Sequence, residues 1–350
     1  MSERLEGEEM KSHEKLTFPQ RIFTGDRPTG KLHLGHYIGT LKERLKLQSK
    51  YDTMIMVADL QVFTDHLKDY RAIQTNTKEV ILDYLSVGLK ENNTFIIQSQ
   101  IPELAELTYY FNFLVTTARV QRNPTLKQEA KMYNVSKMSA GFMIYPISQA
   151  ADILLFKATC VPVGEDQLPH IEQTREIAKT FNRMFRPIFP VPEPIVGECP
   201  TLVGIDGKQK MSKSLDNAIF LSDSSEEIKK KVMQMYTDPS RVRADIPGDP
   251  DKNPVFLYHR LFNINKKEVL ELEERYREGK IGDVEVKKKL IIALNQMLEP
   301  IREKRKYYEE RFDLITDILK TSVQRARKIG QKTLEEVRDA MGISYRNLFY

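Results

Sequence analysis

The sequence predicts an α/β protein, a doubly wound parallel sheet followed by a mainly helical C-terminal domain. Three observations predict it. Short β-rich runs alternate with stretches of helical periodicity through the first two thirds of the chain. The stretches with chemical character lie just after a predicted strand or at a helix start, where open parallel sheets bind their ligands. Beyond Ser214 strand signals vanish and long charged helices take over.

In chain order, Met1 to Lys15 is charged and poor in apolar residues, so residues 1–17 are read as a flexible extension. Arg21-Ile-Phe-Thr-Gly25 is a strand-like run ending in glycine. The segment Asp26-Arg-Pro-Thr-Gly-Lys-Leu then leads into His33-Leu-Gly-His36, after which Leu34, Ile38, Leu41 and Leu45 recur at helical spacing. The two histidines therefore sit where a loop becomes a helix. There the first backbone N–H groups lack intrahelical partners and the helix dipole is positive, which favours an anionic phosphate. Gly35 allows a nucleotide close to the backbone.

Thr53-Met-Ile-Met-Val-Ala58 and Thr94-Phe-Ile-Ile-Gln98 are two further strand runs, with Ile73, Thr77, Val80, Ile81 and Tyr84 marking one helix face between them. Cys160-Val-Pro-Val163 is another, followed by a helix with Ile171, Ile177 and Phe181 on one side. Thr201-Leu-Val-Gly-Ile205 is a last run before a lysine-rich loop, Lys210-Met-Ser-Lys-Ser214. The division is thus 18–215 for the sheet domain and 216–350 for the helical one.

Composition narrows the function. With 350 residues, 41% of them hydrophobic, the chain can bury a large core in about two domains. It has neither the basic and apolar blocks of a signal peptide nor a run long enough to cross a bilayer, so a cytoplasmic protein without membrane partners is expected. The Asn-x-Ser/Thr matches at Asn92 and Asn134 are then background. Two cysteines, Cys160 and Cys199, are too few for a disulfide framework or a tetrathiolate site, and no metal-ligand cluster is expected. The runs Lys229–Lys231, Lys287–Lys289 and Arg302 to Lys306 read as solvated helix faces or as contacts to an RNA backbone; a net charge of +5 permits the second.

The histidine segment and the lysine loop together supply cations and donors for a triphosphate, which points to adenylate formation. A P-loop is excluded. Gly25 to Lys31 satisfies its first seven positions, but Leu32 stands where Ser or Thr must hold magnesium, and Pro28 removes a backbone donor.

On these motifs the chain resembles the class I aminoacyl-tRNA synthetases, with their HIGH-type signature and Rossmann-like catalytic domain, and within them the bacterial tryptophanyl group. The carriers are Thr24-Gly-Asp-Arg-Pro-Thr-Gly30, His33–His36, Gln98-Ser-Gln-Ile-Pro-Glu-Leu-Ala-Glu106, Tyr145-Pro-Ile-Ser-Gln-Ala-Ala-Asp152, Val161-Pro-Val-Gly-Glu-Asp-Gln167 with Glu172-Gln-Thr-Arg-Glu176, and the lysine loop. The resemblance runs from about Arg21 onward. It implies activation of L-tryptophan by ATP and Mg2+ to an adenylate, transfer to tRNA(Trp), and a homodimer with tRNA spanning both subunits. The four-cysteine iron–sulfur cluster of some relatives is impossible with two cysteines.

The resemblance also implies roles. His33 and His36 would donate hydrogen bonds to phosphates. Lys210 and Lys213 would close over the pyrophosphate with Lys127 as a third cation. Preorganised stabilisation of this kind is worth about 3–4 kcal/mol per donor. Arg27, Pro28 and Thr29 would line the mouth and Gly164, Glu165 and Asp166 would hold adenine and ribose. Leu202 would pack nearby, with Gly35, Met211, Ser212 and Ser214 completing the nucleotide site. Asp152 would accept the indole N–H, Phe23, Val161 and Val163 would form apolar walls, and Tyr145 and Gln167 would hold the α-amino group. Gln149 stands where methionine is frequent and Arg27 where glutamine is. Since Tyr145-x-x-x-Gln149-x-x-Asp152 also resembles the tyrosyl motif, a tyrosine enzyme is the first alternative and a non-catalytic partner-binding paralogue the second. The Val161–Gln167 block and the Thr24–Gly30 opening favour a second bacterial subgroup of tryptophan enzymes.

Overall fold

The computed structural model describes residues 17–64, 67–132, 139–197, 202–239, 241–345 and 348. Five strands form one parallel sheet: β1 (Arg21–Asp26), β2 (Asp52–Val57), β3 (Thr94–Ile97), β4 (Cys160–Val163) and β5 (Glu193–Val196), in the order β3-β2-β1-β4-β5. The order reverses between β1 and β4, creating the crevice in which such sheets hold ligands. Both faces are covered, and side chains alternate between them with the two-residue period of a strand. On β2, Ile55 and Val57 enter one apolar cluster while Met54 and Met56 enter the other.

The helices of the sheet region are α1 (Leu34–His36), α2 (Lys42–Leu47), α3 (Ile73–Ser86), α4 (Glu103–Asn112), α5 (Thr117–Gln121), α6 (Pro124–Met132), α7 (Ala140–Leu154) and α8 (Leu168–Met184). A π-helical turn, Tyr37–Leu41, joins α1 to α2. Then come α9 (Ser225–Met233), α10 (Pro254–Phe262), α11 (Lys266–Arg277), α12 (Asp283–Glu309) and α13 (Phe312–Ala340). These do not form a detached core. Leu290, Leu294 and Leu298 of α12 share a cluster with Val80 and Tyr84 of α3, while Ala326, Leu334 and Val337 of α13 join the opposite cluster with Leu104 of α4.

Four strand runs are found within a residue of their expected limits. Two differences have clear causes. The described part of the run 201–205 forms no sheet strand: Leu202 to Ile205 is the first arm of a hairpin, with Val203 bridging Lys210 and the Met211 N–H donating to the Leu202 carbonyl at 2.9 Å. Gly207 turns it at φ +67. The fifth strand is instead Glu193–Val196, hidden from sequence by Pro194, which is tolerated because this is an edge strand. Thr201, Cys199, Asn134 and residues 1–16 lie outside the described residues.

The basic runs are divided: Lys229, Lys230, Lys288, Lys289, Lys304 and Lys306 are exposed, as a solvated face requires, while other members are built into the fold. Lys287 is buried and its Nζ donates to the Met233 and Met235 carbonyls at 3.1 and 2.6 Å, closing the C-terminal end of α9. Lys231 pairs with Asp223 at 2.6 Å, and Arg302 donates to the Asp223 carbonyl and to Asn295. Lys231, Lys287 and Arg302 therefore help to hold the helical domain together.

Candidate active site

A cleft of about 1790 Å3 opens at the carboxyl ends of β1 and β4. Arg27, Pro28, Thr29, Gly35 and His36 line it from the β1 side, and Gly164, Glu165 and Asp166 from the β4 side. Leu202 and Lys210 to Ser214 line it from the hairpin. Phe23, Tyr145, Gln149, Val161, Val163 and Gln167 line the same cleft. Topology thus gathers segments up to 191 residues apart in sequence, from Phe23 to Ser214. Lys127, exposed on α6, and Asp152, buried in the wall, are not among the lining residues.

His33 is the N-cap of α1. Its Nδ1 accepts the Gly35 N–H at 3.1 Å, and the Nδ1 of His36 accepts the His33 N–H at 3.2 Å. Each ring therefore carries its proton on Nε2. Burial, with His36, Lys213 and Lys210 adding, pushes His33 down to about 2. Burial also lowers His36, to about 4, against the pull of Asp26. The signature is thus a pair of neutral N–H donors, and the expected positive charge must come from elsewhere. The segment is braced from the far side: Leu34 N–H donates to the Ile219 carbonyl at 2.9 Å and Leu221 N–H to that of Leu32 at 3.0 Å. Beneath it, Arg44 is fully buried and pairs with Asp26 at 2.6 Å, with the Tyr84 hydroxyl donating to the same oxygen at 2.7 Å. Burial would raise the Asp26 carboxyl, but Arg44 and His36 outweigh it and hold it at about 2.

Positive charge comes from the hairpin as well as from Arg27, Lys68 and Arg71 on the cleft wall. Lys213 Nζ donates to the Gly30 carbonyl at 2.8 Å and to Thr29 Oγ1 at 3.3 Å, so the second lysine is docked on the mouth loop. Burial lowers Lys213 to about 8, against Asp26 and Asp83. Lys210 stays exposed. Asn217, fully buried, fixes the loop's backbone: its Oδ1 accepts the Ser212 N–H at 2.7 Å and its Nδ2 donates to the Lys210 carbonyl and to Asp206. A Cβ on Gly204 would meet Asn217 Nδ2 at 2.2 Å, so glycine is required for this approach.

At the other end, Tyr145, Gln149 and Asp152 share one face of α7 through i, i+4 and i+7 spacing. Phe23, Val161 and Val163 are buried apolar walls, with Phe23 stacked on Phe156 at 5.8 Å. Gln98 Nε2 lies 2.9 Å from both Asp152 oxygens and Gln61, which lines the cleft, donates to Oδ2 at 3.1 Å. Burial raises Asp152 to about 7, with Asp59 adding, against these two amide bonds. The Tyr145 hydroxyl donates to Glu129 at 2.6 Å and lies 3.2 Å from His170 Nε2.

Sequence reasoning missed Gln61, Glu129, His170 and Asn217, and gave Gln98 and Asp26 no role although both lie inside quoted motifs. For Gln98 and Asp26, a polar residue ending a buried strand was the available signal.

A parallel sheet with a histidine-capped helix after its first strand and a lysine hairpin over the crevice defines a nucleotide-activating enzyme of the class I synthetase type. The family model for class I tRNA synthetases (W and Y) matches residues 15–299, and the chain belongs to that family. More particularly, it is 48% identical over 328 residues to the tryptophan–tRNA ligase of Borreliella burgdorferi, covering 92% of this chain and 93% of that protein. The Treponema pallidum tryptophan–tRNA ligase is also 48% identical, over 94% of this chain and 99% of that one. The crystal structure of Campylobacter jejuni tryptophanyl-tRNA synthetase, complexed with ADP and tryptophan, has a TM-score of 0.81 at 31% identity, over 92% of this chain and 99% of that one.

Proposed function

We propose that this cleft performs the two half-reactions of a tryptophan–tRNA ligase. The substrate carboxylate attacks the α-phosphorus of ATP, the bond to the β-phosphate oxygen breaks, and pyrophosphate leaves. A ribose hydroxyl of the tRNA terminus then attacks the adenylate carbonyl and AMP departs. The observation that carries this reading is one cleft with phosphate donors and cations at one end and a buried carboxylate behind apolar walls at the other. His33 and His36 offer Nε2–H groups without adding charge of their own, while Lys210 and Lys213 meet the charge that develops on the leaving pyrophosphate. Asp152 accepts the indole N–H, and a substrate without that donor strands a buried carboxylate. Lys127 joins the phosphates only if α6 turns it inward.

No group of three or more His, Cys, Asp or Glu that could hold a metal is present among the described residues. Mg2+ would therefore enter on the phosphates of ATP. Among the described residues no helix is long and apolar enough to cross a membrane. We also propose residues 216–350 as the tRNA-recognition domain and a homodimer. For the dimer, Tyr109 and Phe113 stand exposed on and just beyond α4, ring centroids 5.1 Å apart, as an apolar patch suited to a second copy. The deciding experiment is ATP–pyrophosphate exchange with tryptophan, tyrosine, phenylalanine or no amino acid. Tryptophan-dependent exchange is expected. Exchange with tyrosine would reassign the pocket, and none with any amino acid would favour a non-catalytic paralogue.

A further inference from the structure

We infer that Glu129 is the counter-charge for the α-ammonium group of the amino-acid substrate, a specificity residue added to Tyr145. The inference rests on the ligase reading above and concerns how that site tells an amino acid from its des-amino analogue.

A hydrogen-bond chain with a single direction runs through Tyr145. Asn123 Nδ2 can only donate, and it lies 3.3 Å from His170 Nδ1, so that nitrogen accepts. His170, wholly buried and pushed down by burial to about 4, is neutral and carries its proton on Nε2. That proton points at the Tyr145 oxygen, 3.2 Å away, and the Tyr145 proton goes to Glu129 Oε2 at 2.6 Å. Every donor in the chain runs toward Glu129. The chain ends in an anion at the cleft wall, and Tyr145 and Glu129 both line the cleft.

Among the described residues Glu129 makes no ion pair with a lysine, arginine or histidine, whereas Asp26, another acid of this cleft, is committed to Arg44. Glu129 is half-buried and lines the cleft beside Tyr145, on the α7 face that also carries Gln149 and Asp152. A substrate with its indole at Asp152 and its carboxylate toward the lysine end has its remaining polar group, the ammonium, to place against this wall. A carboxylate and a hydroxyl oxygen side by side are what an ammonium needs.

Glu129→Gln keeps the volume and an acceptor for Tyr145 but removes the charge. Isothermal titration calorimetry on the full chain with tryptophan, tryptamine and indole-3-propionate separates the possibilities. Expected are losses of roughly 10- to 100-fold in affinity for tryptophan and tryptamine, which carry the ammonium. Indole-3-propionate, which lacks it, should bind at least as tightly as to the unaltered protein, and this also shows that the variant is folded. In exchange assays the KM for tryptophan should rise while that for ATP stays within about twofold. Unchanged tryptophan affinity, or equal weakening of all three ligands, would overturn the inference. Failure of the unaltered protein to bind tryptophan is the separate result that removes the ligase reading and the inference with it.

Discussion

Arg305 on α12 lies 2.6 Å from one oxygen of Asp83 on α3, and the other oxygen of Asp83 accepts the Leu32 N–H at 2.7 Å. Leu32 immediately precedes the N-capping His33, so a single buried carboxylate ties the C-terminal helices to the histidine turn that lines the cleft. Arg305 also reaches Glu79 and Glu309 at 2.6 and 2.8 Å.

Removing the arginine should therefore cost both stability and ATP use. Burial raises Asp83 to about 6 even with Arg305 and the Leu32 N–H opposing it and Glu79 adding to it. Arg305→Met leaves that carboxylate uncompensated, and a loss of about 3–5 kcal/mol is expected in urea unfolding at pH 8. The sign with pH follows from the raised value. A protonated Asp83 needs no counter-charge, and without Arg305 it takes up its proton at higher pH than in the unaltered protein, so the loss shrinks as pH falls toward about 6. Equal losses at pH 5 and pH 8 would show that packing, not charge, is what Arg305 supplies.

Asn217 governs the lysine loop in a way its position alone does not announce. Its amide holds the Lys210 carbonyl and the Ser212 N–H, the backbone on either side of Met211. Asn217→Ala should lower the rate of adenylate formation about 10-fold or more while leaving tryptophan affinity within twofold, because in the proposed reaction the lysines act chiefly on the leaving group. Single-turnover kinetics tests it, and equal effects on rate and binding would place the fault in general unfolding.

These networks explain what was readable beforehand. Strands β1 to β4 are buried on both faces, so they appear as short apolar runs, and the histidine and lysine segments are fixed by local spacing. Pro194 disguised β5, and Leu202 turning into the core made a hairpin arm look like a strand. The neutrality of His33 depends on burial and on lysines some 180 residues away, which no local pattern encodes. Glu129, Asn217 and Arg305 are single polar residues whose partners are set by tertiary packing. Lys287 and Arg305 show the same limit from the other side, since a run of positive charge does not reveal which members are buried.

Asp152 gives a pH dependence with a definite sign. Burial raises it to about 7, so as pH falls through about 7 the carboxyl takes up a proton and loses its strength as the acceptor proposed for the indole N–H. The KM for tryptophan should rise toward acid pH, and Asp152→Asn should have a high KM that no longer varies there. Stability runs in the same frame: the native state holds this proton more tightly than the unfolded chain, so ionising Asp152 destabilises the fold as pH rises from about 4 to 7. Asp152→Asn should thus gain stability over the unaltered protein at pH 8 and lose that advantage at pH 4. A tryptophan KM that is flat from pH 5.5 to 8.5 in the unaltered enzyme would remove Asp152 from indole recognition.

Lys213 sets the alkaline limb. Burial lowers it to about 8, while Asp26 and Asp83 resist. Above about pH 8 the free enzyme loses the Lys213 charge that we propose meets the pyrophosphate, so kcat/KM for ATP should fall as pH rises through that value. Lys213→Arg keeps a positive charge at every accessible pH. It cannot reproduce the compact ammonium contacts to the Gly30 carbonyl and Thr29, so its absolute rate should drop by about 10-fold. Its alkaline limb should nonetheless move above pH 10. A limb that stays near 8 in the arginine variant would assign the titration to another group and leave Lys213 with a docking role alone.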